Sequence, residues 1–312
     1  MAATRAPGMD HDLYLYSPLP TRPALRWPGS AGLAFCPIIY LEHWELLAAP
    51  GTRRVPGAQG PWGDLAPDWR SFTYRDYGNR IGIWRVLEAL EARGLRATIA
   101  LGAAAATRHP AVVQACVERG HAFAAHPSHA TRIHASHMGE AEERAAIAAA
   151  IEAVVAATGQ HPRGWIAQDF SESPRSAQLA AEAGLEWLAD WPNDEQPYRL
   201  LTTPGILSLP VLAELEDTTM LWSKLIPSWE WPPLVAEAAR RLAADAARDQ
   251  AGRCLLLGLH PWLIGQAGRI RYLEEALDGV LAARPWCATA DEIADAARAQ
   301  LPTALSAHTG SM

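Results

Sequence analysis

The sequence predicts an α/β fold, an irregular (β/α) barrel of seven or eight parallel strands. Two observations predict it. Short apolar runs alternate with helix-period segments of roughly ten to fifteen residues, as expected when parallel strands are joined by helical crossovers. Hydrophobic residues make up 49% and charged residues 20% of 312 residues, enough to fill one large core.

The elements follow in order. Residues 1–30 are Pro-rich and aperiodic and read as an N-terminal arm that Trp27 docks. Residues 32–41 (GLAFCPIIYL) read as the first strand. Residues 80–93 carry Ile83, Leu87 and Leu90 at helical spacing, with Gly94 as the stop. Strands are expected at 95–101, 121–125, 164–167, 185–189, 206–209, Arg253–Leu259 and 286–288. Helices are expected at 110–119, Glu140–Thr158, 174–183, 233–248, 269–283 and 290–299. Gly120, Gly159 and Gly184 close three of them, and Thr289 with Glu292 forms a capping box for the last. No long linker divides residues 31–300, so they read as one barrel domain followed by a flexible tail, 301–312.

Composition narrows the function. Lys+Arg is 27 and Asp+Glu is 34, a net charge of −7, which argues against a nucleic-acid partner. Cys36, Cys116, Cys254 and Cys287 form no CxxC pair, so a zinc ribbon or dithiol is excluded on spacing. The N-terminus shows no signal-peptide pattern, and the most apolar helical stretch is too short to span a bilayer. A soluble cytoplasmic protein without a membrane partner is expected. No Walker or GxGxxG loop follows a strand, so nucleotide binding has no support.

Four strands end in an ionisable residue just outside the apolar run: Glu42 with His43, His126, Asp190 and His260. In parallel α/β folds those carboxyl ends converge on one face, where chemistry is done. His129 lies three residues beyond His126. Trp44, Trp165, Trp191 and Trp262 stand near these positions and are candidates to line a pocket. Tyr74, Arg75, Tyr77, Asn79 and Arg80 form a polar, aromatic cluster able to reach a small ring.

At these residues the chain resembles the polysaccharide deacetylase superfamily, and within it the allantoinase-like branch. The strings IYLEHWE (39–45), AAHPSH (124–129), TGQHPRGWIAQDFSES (158–173), DWPNDEQPY (190–198) and LGLHPWLIGQAGRIRYLEEAL (258–277) carry the likeness. The resemblance implies a distorted (β/α) barrel and hydrolysis of an amide C–N bond. The substrate would be an acetylated amino sugar or a cyclic amide such as a ureide or imide. It implies Glu42 as general base, His260 as acid, Asp190 as the residue orienting that acid, and Arg163 as a positioning group. Asp169, Asp194 and Glu195 fall beside the substrate in the same comparison.

The family's metal motif is altered, with His43 in place of the acid and Ala130 in place of a His. Two alternatives stand: one divalent, zinc-like ion held by His43, His126 and His129, or a metal-free site in which His126 and backbone N–H groups stabilise the oxyanion. Glu42 would need a raised pKa from burial near Trp44. A small-molecule amide is the expected partner and a homo-oligomer is possible, with residues 222–233 as a contact surface or lid. Three functions compete: hydrolysis of a small cyclic amide, deacetylation of a linear amide, and a non-catalytic binding role.

Overall fold

A computed structural model describes residues 9–47, 67–134 and 137–301. The expected tail beyond residue 301 and the first eight residues of the arm lie outside the described residues. The expected fold is borne out. Strand β1 (Leu33–Leu41) is buried along all nine residues, as an unbroken apolar run at the centre of a parallel sheet must be. It pairs in parallel with β2 (Thr98–Gly102), β8 (Arg253–Leu259) and β9 (Trp286–Cys287). Strands β3 (Ala122–His126), β4 (Gly164–Trp165), β5 (Trp187–Leu188), β6 (Tyr198–Arg199) and β7 (Leu207–Ser208) extend the sheet in the order β6-β7-β5-β4-β3-β2-β1-β8. Among the described residues only β6 runs antiparallel, against β7.

The sheet curls into a half-barrel. Among the described residues no ladder joins β6 to β8. The outer edge of β8 is met instead by three non-strand segments. Leu25 O accepts from Gly252 N at 2.8 Å, Glu195 O from Cys254 N at 2.9 Å, and Leu256 O from Leu212 N at 3.1 Å. The N-terminal arm is therefore stitched to the seam, and the Trp27 indole, 3% exposed, donates to Arg253 O at 2.6 Å.

Helices α1 (Trp69–Tyr77), α2 (Ile83–Glu91), α3 (Ala103–Arg108), α4 (Pro110–Glu118), α5 (Glu140–Thr158), α6 (Ser176–Glu182), α7 (Trp231–Asp249), α8 (Pro261–Ile264), α9 (Ile270–Ala282) and α10 (Ala290–Arg298) accompany the sheet. The capping box of Thr289 and Glu292 opens α10. Leu33, Phe35, Ile39 and Leu41 of β1 join the core built with Leu87, Leu242 and Leu273 from the helices. Ala34, Cys36, Ile38 and Tyr40 face the barrel interior with Ala124, Ile166 and Leu256. This two-residue alternation decides which strand-end groups can meet.

A π-helical turn, Gly78–Gly82, links α1 to α2. It presses on the chain just after β8: a Cβ on Gly82 would stand 2.1 Å from Pro261 O. Only a glycine permits this approach, which seats Asn79 and Arg75 beside the strand ends. Gly82→Ala is expected to destabilise the fold by about 2 kcal/mol through overpacking. Gly139→Ala, with open space at its Cβ and an ordinary φ of −70°, serves as the control. Equal thermal midpoints for the two variants would refute the contact.

Candidate active site

Alternation carries Tyr40 and Ile166 inward, so Glu42 and Gln168, each two residues on, point the same way. Leu256 likewise places Gly258 and then His260 inward. These residues gather at the carboxyl ends of β1, β4 and β8. Glu42 is 4% exposed. Its Oε1 accepts from Gln168 Nε2 at 2.8 Å and its Oε2 from Trp44 Nε1 at 3.3 Å. Its backbone carbonyl accepts from Asn79 Nδ2 at 2.8 Å. His260 Nε2 lies 4.0 Å from Glu42 Oε1.

The partner of His260 is Asp217, not Asp190. Asp217 is fully buried and receives His260 Nδ1 at 2.8 Å and His260 N at 2.7 Å. Burial alone would lower the imidazole pKa, but the charge and hydrogen bond of Asp217, joined by Glu42 and Glu216, raise it to about 10. The ring is therefore an imidazolium at neutral pH. Tyr40 stacks on it at 4.3 Å and 10°. Glu216 sits where Gly258 lacks a side chain, since a Cβ there would stand 2.0 Å from its Oε1. Burial, with Asp217 adding, pushes Glu216 up to about 7 against the pull of His260 and the Tyr40 hydroxyl.

A pocket of about 180 Å³ opens over these groups, walled by Trp44, Trp222, Trp262 and Phe170. Arg75 lines it at 3% exposure. Its guanidinium lies 3.8 Å from the centre of the Trp44 ring, 5.0 Å from Trp262 and 5.5 Å from Trp222. Asp169 reaches the pocket from a left-handed backbone, φ 50°, followed by Phe170 at φ 56°. Two such non-glycine residues in succession are costly, and strain of this kind collects at functional sites.

The other expected site residues fall elsewhere. Arg163 precedes β4, at the opposite end of the sheet, and pairs with Glu186 at 2.8 Å and with Asp295 of α10. It does not position Glu42; Gln168 and Asn79 do. Leu188 packs in the outer layer, so Asp190 points outward too. There it accepts from Ala167 N at 2.6 Å, and burial raises it to about 6. Trp165 lies tilted near His134 at 5.2 Å, and Trp191 packs near Tyr14 at 5.7 Å. Asp194 pairs with Arg22 at 2.7 Å, and Glu195 with Arg253 at 3.1 Å. The Tyr77 hydroxyl receives Arg85 Nη1, and Arg80 is a surface residue beside Asp76 at 3.7 Å.

The donor set does not fit a metal. His126 is fully buried, with Nδ1 2.7 Å from Ile166 O and Nε2 3.0 Å from Gln168 Oε1, so both ring nitrogens are taken. It braces the glutamine that holds Glu42 and does not line the pocket. His43, one residue past Glu42, faces the other side of the strand, its ring 5.9 Å from His129 and from His109. Burial, then Arg108, lowers His43 to about 4. Among the described residues no group of three or more His, Cys, Asp or Glu is arranged to hold a metal ion.

Fold and site together define an α/β half-barrel with a carboxylate and an imidazolium facing each other at its strand ends. Residues 71–188 match the family model Polysaccharide deacetylase. A Schizosaccharomyces pombe protein named for polysaccharide deacetylase is 26% identical over 244 residues, 73% of this chain and 76% of that protein. Among solved structures, a Pseudomonas aeruginosa PAO1 protein assigned as a polysaccharide deacetylase is 25% identical, with a TM-score of 0.78 over 89% of this chain and 95% of its own. PuuE allantoinase gives the same identity and TM-score over 90% and 95%. The resemblance drawn from the sequence is borne out. Among the described residues no helix is long and apolar enough to cross a membrane.

Asp217→Asn tests the ion pair. The pair contributes its stability in full below the ordinary histidine pKa of about 6.5 and loses it as pH rises through about 10. Wild type is therefore expected to lose thermal stability across that window, and Asp217→Asn to show a flatter profile. A profile identical to wild type would remove Asp217 from this role.

Proposed function

We propose that this chain hydrolyses the C–N bond of a small cyclic amide, a ureide or imide, by general-base activation of water. The observation that supports it is the 4.0 Å separation of Glu42 and a charged His260 beneath one small pocket. Glu42 takes a proton from water as the oxygen attacks the carbonyl carbon. His260 gives its proton to the nitrogen as the C–N bond breaks, leaving an opened ring with a carboxylic acid at one end and an amide or urea N–H at the other. Glu42 then holds a proton and His260 has lost one, so transfer through a water bridging the 4.0 Å between them restores both. No step is routed through a metal, because the histidines do not converge on one.

The pocket's size and its indole walls favour a flat ring over a polymer. The likeness to PuuE allantoinase agrees with a cyclic amide. A second reading, N-deacetylation of an amino sugar, draws on the family match over residues 71–188. One panel separates them: hydantoin, succinimide, allantoin and N-acetylated amino-sugar oligomers, each with and without chelator. A cyclic amide is expected to turn over at a rate the chelator leaves unchanged. Glu42→Gln is expected to lower kcat/KM about 10³-fold, within the range of a lost general base. A wild-type protein inert to every amide would favour a non-catalytic role, and full activity in Glu42→Gln would remove the base.

A further inference from the structure

Hydrolysis of an amide places a negative charge on the carbonyl oxygen before the C–N bond breaks, and something must receive it. Among the described residues no donors converge on a metal, and His126 does not line the pocket and has an oxygen within hydrogen-bond distance of each ring nitrogen. Two cationic side chains line the pocket, His260 and Arg75. His260 is committed to the leaving nitrogen. Arg75 is held unlike a surface arginine: it is 3% exposed, lies 3.8 Å over the Trp44 ring, and has Trp262 and Trp222 at 5.0 and 5.5 Å. Its Nη1 donates to Ser71 O at 3.3 Å, within its own helix. The same three indoles that steady the guanidinium form the wall of the pocket.

We infer that Arg75 is a catalytic residue, the hydrogen-bond donor that stabilises the oxyanion of the reaction. As water oxygen bonds to the carbonyl carbon and Glu42 takes the proton, the π electrons of the C=O move onto oxygen, and the guanidinium pairs with that charge. They return when the C–N bond breaks and His260 protonates the nitrogen. The indoles do two things. Their negative faces steady the cation without neutralising it, and they exclude water, so the pairing is stronger than in solvent. Burial lowers the guanidinium pKa only to about 10, with Glu42 and Asp169 opposing the fall, so it stays charged at neutral pH.

This inference rests on the reading of Glu42 as general base, and the test keeps the two apart. Arg75→Lys, Arg75→Ala and Glu42→Gln are compared in the full chain on whichever amide of the panel the wild type hydrolyses. A lost oxyanion donor is expected to lower kcat about 10²–10³-fold in Arg75→Ala, with KM changed little. Arg75→Lys keeps the charge and is expected to fall less. Millimolar guanidinium chloride, far below denaturing levels, is expected to restore part of kcat to Arg75→Ala but none to Glu42→Gln. A raised KM with kcat intact would make Arg75 a ground-state anchor and overturn the inference while leaving the base in place. Should Arg75→Ala fail to fold, a kcat equal to wild type in Arg75→Lys with a raised KM would overturn it equally. A wild type that cleaves no amide overturns both readings.

Discussion

Side-chain alternation along parallel strands governs this molecule. A strand sends consecutive residues to opposite faces, and at the centre of a curled sheet one face is the barrel interior and the other the helical layer. Tyr40, Ile166 and Leu256 are interior residues, so Glu42, Gln168 and His260 inherit that side. His43 and Asp190 stand equally close to strand ends but on the other face. A shift of one residue in register would exchange the two sets, and the carboxylate would face the helices. Because both faces are buried, the register is strongly specified.

Much of this was legible in the amino-acid sequence. Helix α5 and strand β8 have the expected bounds, because an Ala-rich run closed by glycine and an unbroken apolar run each have one reading. Helix α1 was missed, because WRSFTYRDY is polar and aromatic with no clear apolar stripe. Strand β6 is two residues long, too short to leave a pattern. Glu42 and His260 were visible as the first polar residues after long strands. Alternation, applied to those ends, would have separated Asp190 from them.

Asp217 and Glu216 were not visible by any local signal. They come from an irregular segment between short turns, and Glu216 reaches the site only because Gly258, more than forty residues later, leaves room. Long-range complementarity of that kind leaves no periodicity. Gln168 stood in a quoted string without a role, since an amide has none until a partner is known. Arg163 drew attention through its motif, yet it sits before β4, where its partners are surface carboxylates. Position relative to strand direction outweighs the string around it.

The seam beside β8 has a consequence for how the protein avoids sticking to itself. An unclosed barrel leaves its edge strands, β8 among them, with a row of backbone donors and acceptors, a template for pairing with other chains. Here Leu25, Glu195 and Leu212 each satisfy one such group, and none belongs to a strand. The cover is thus distributed among three stretches that are remote in the chain. Losing the first stretch would bare part of the edge while leaving Glu42 and His260 in place, so shortening the leading arm would trade solubility before it disturbed the candidate site.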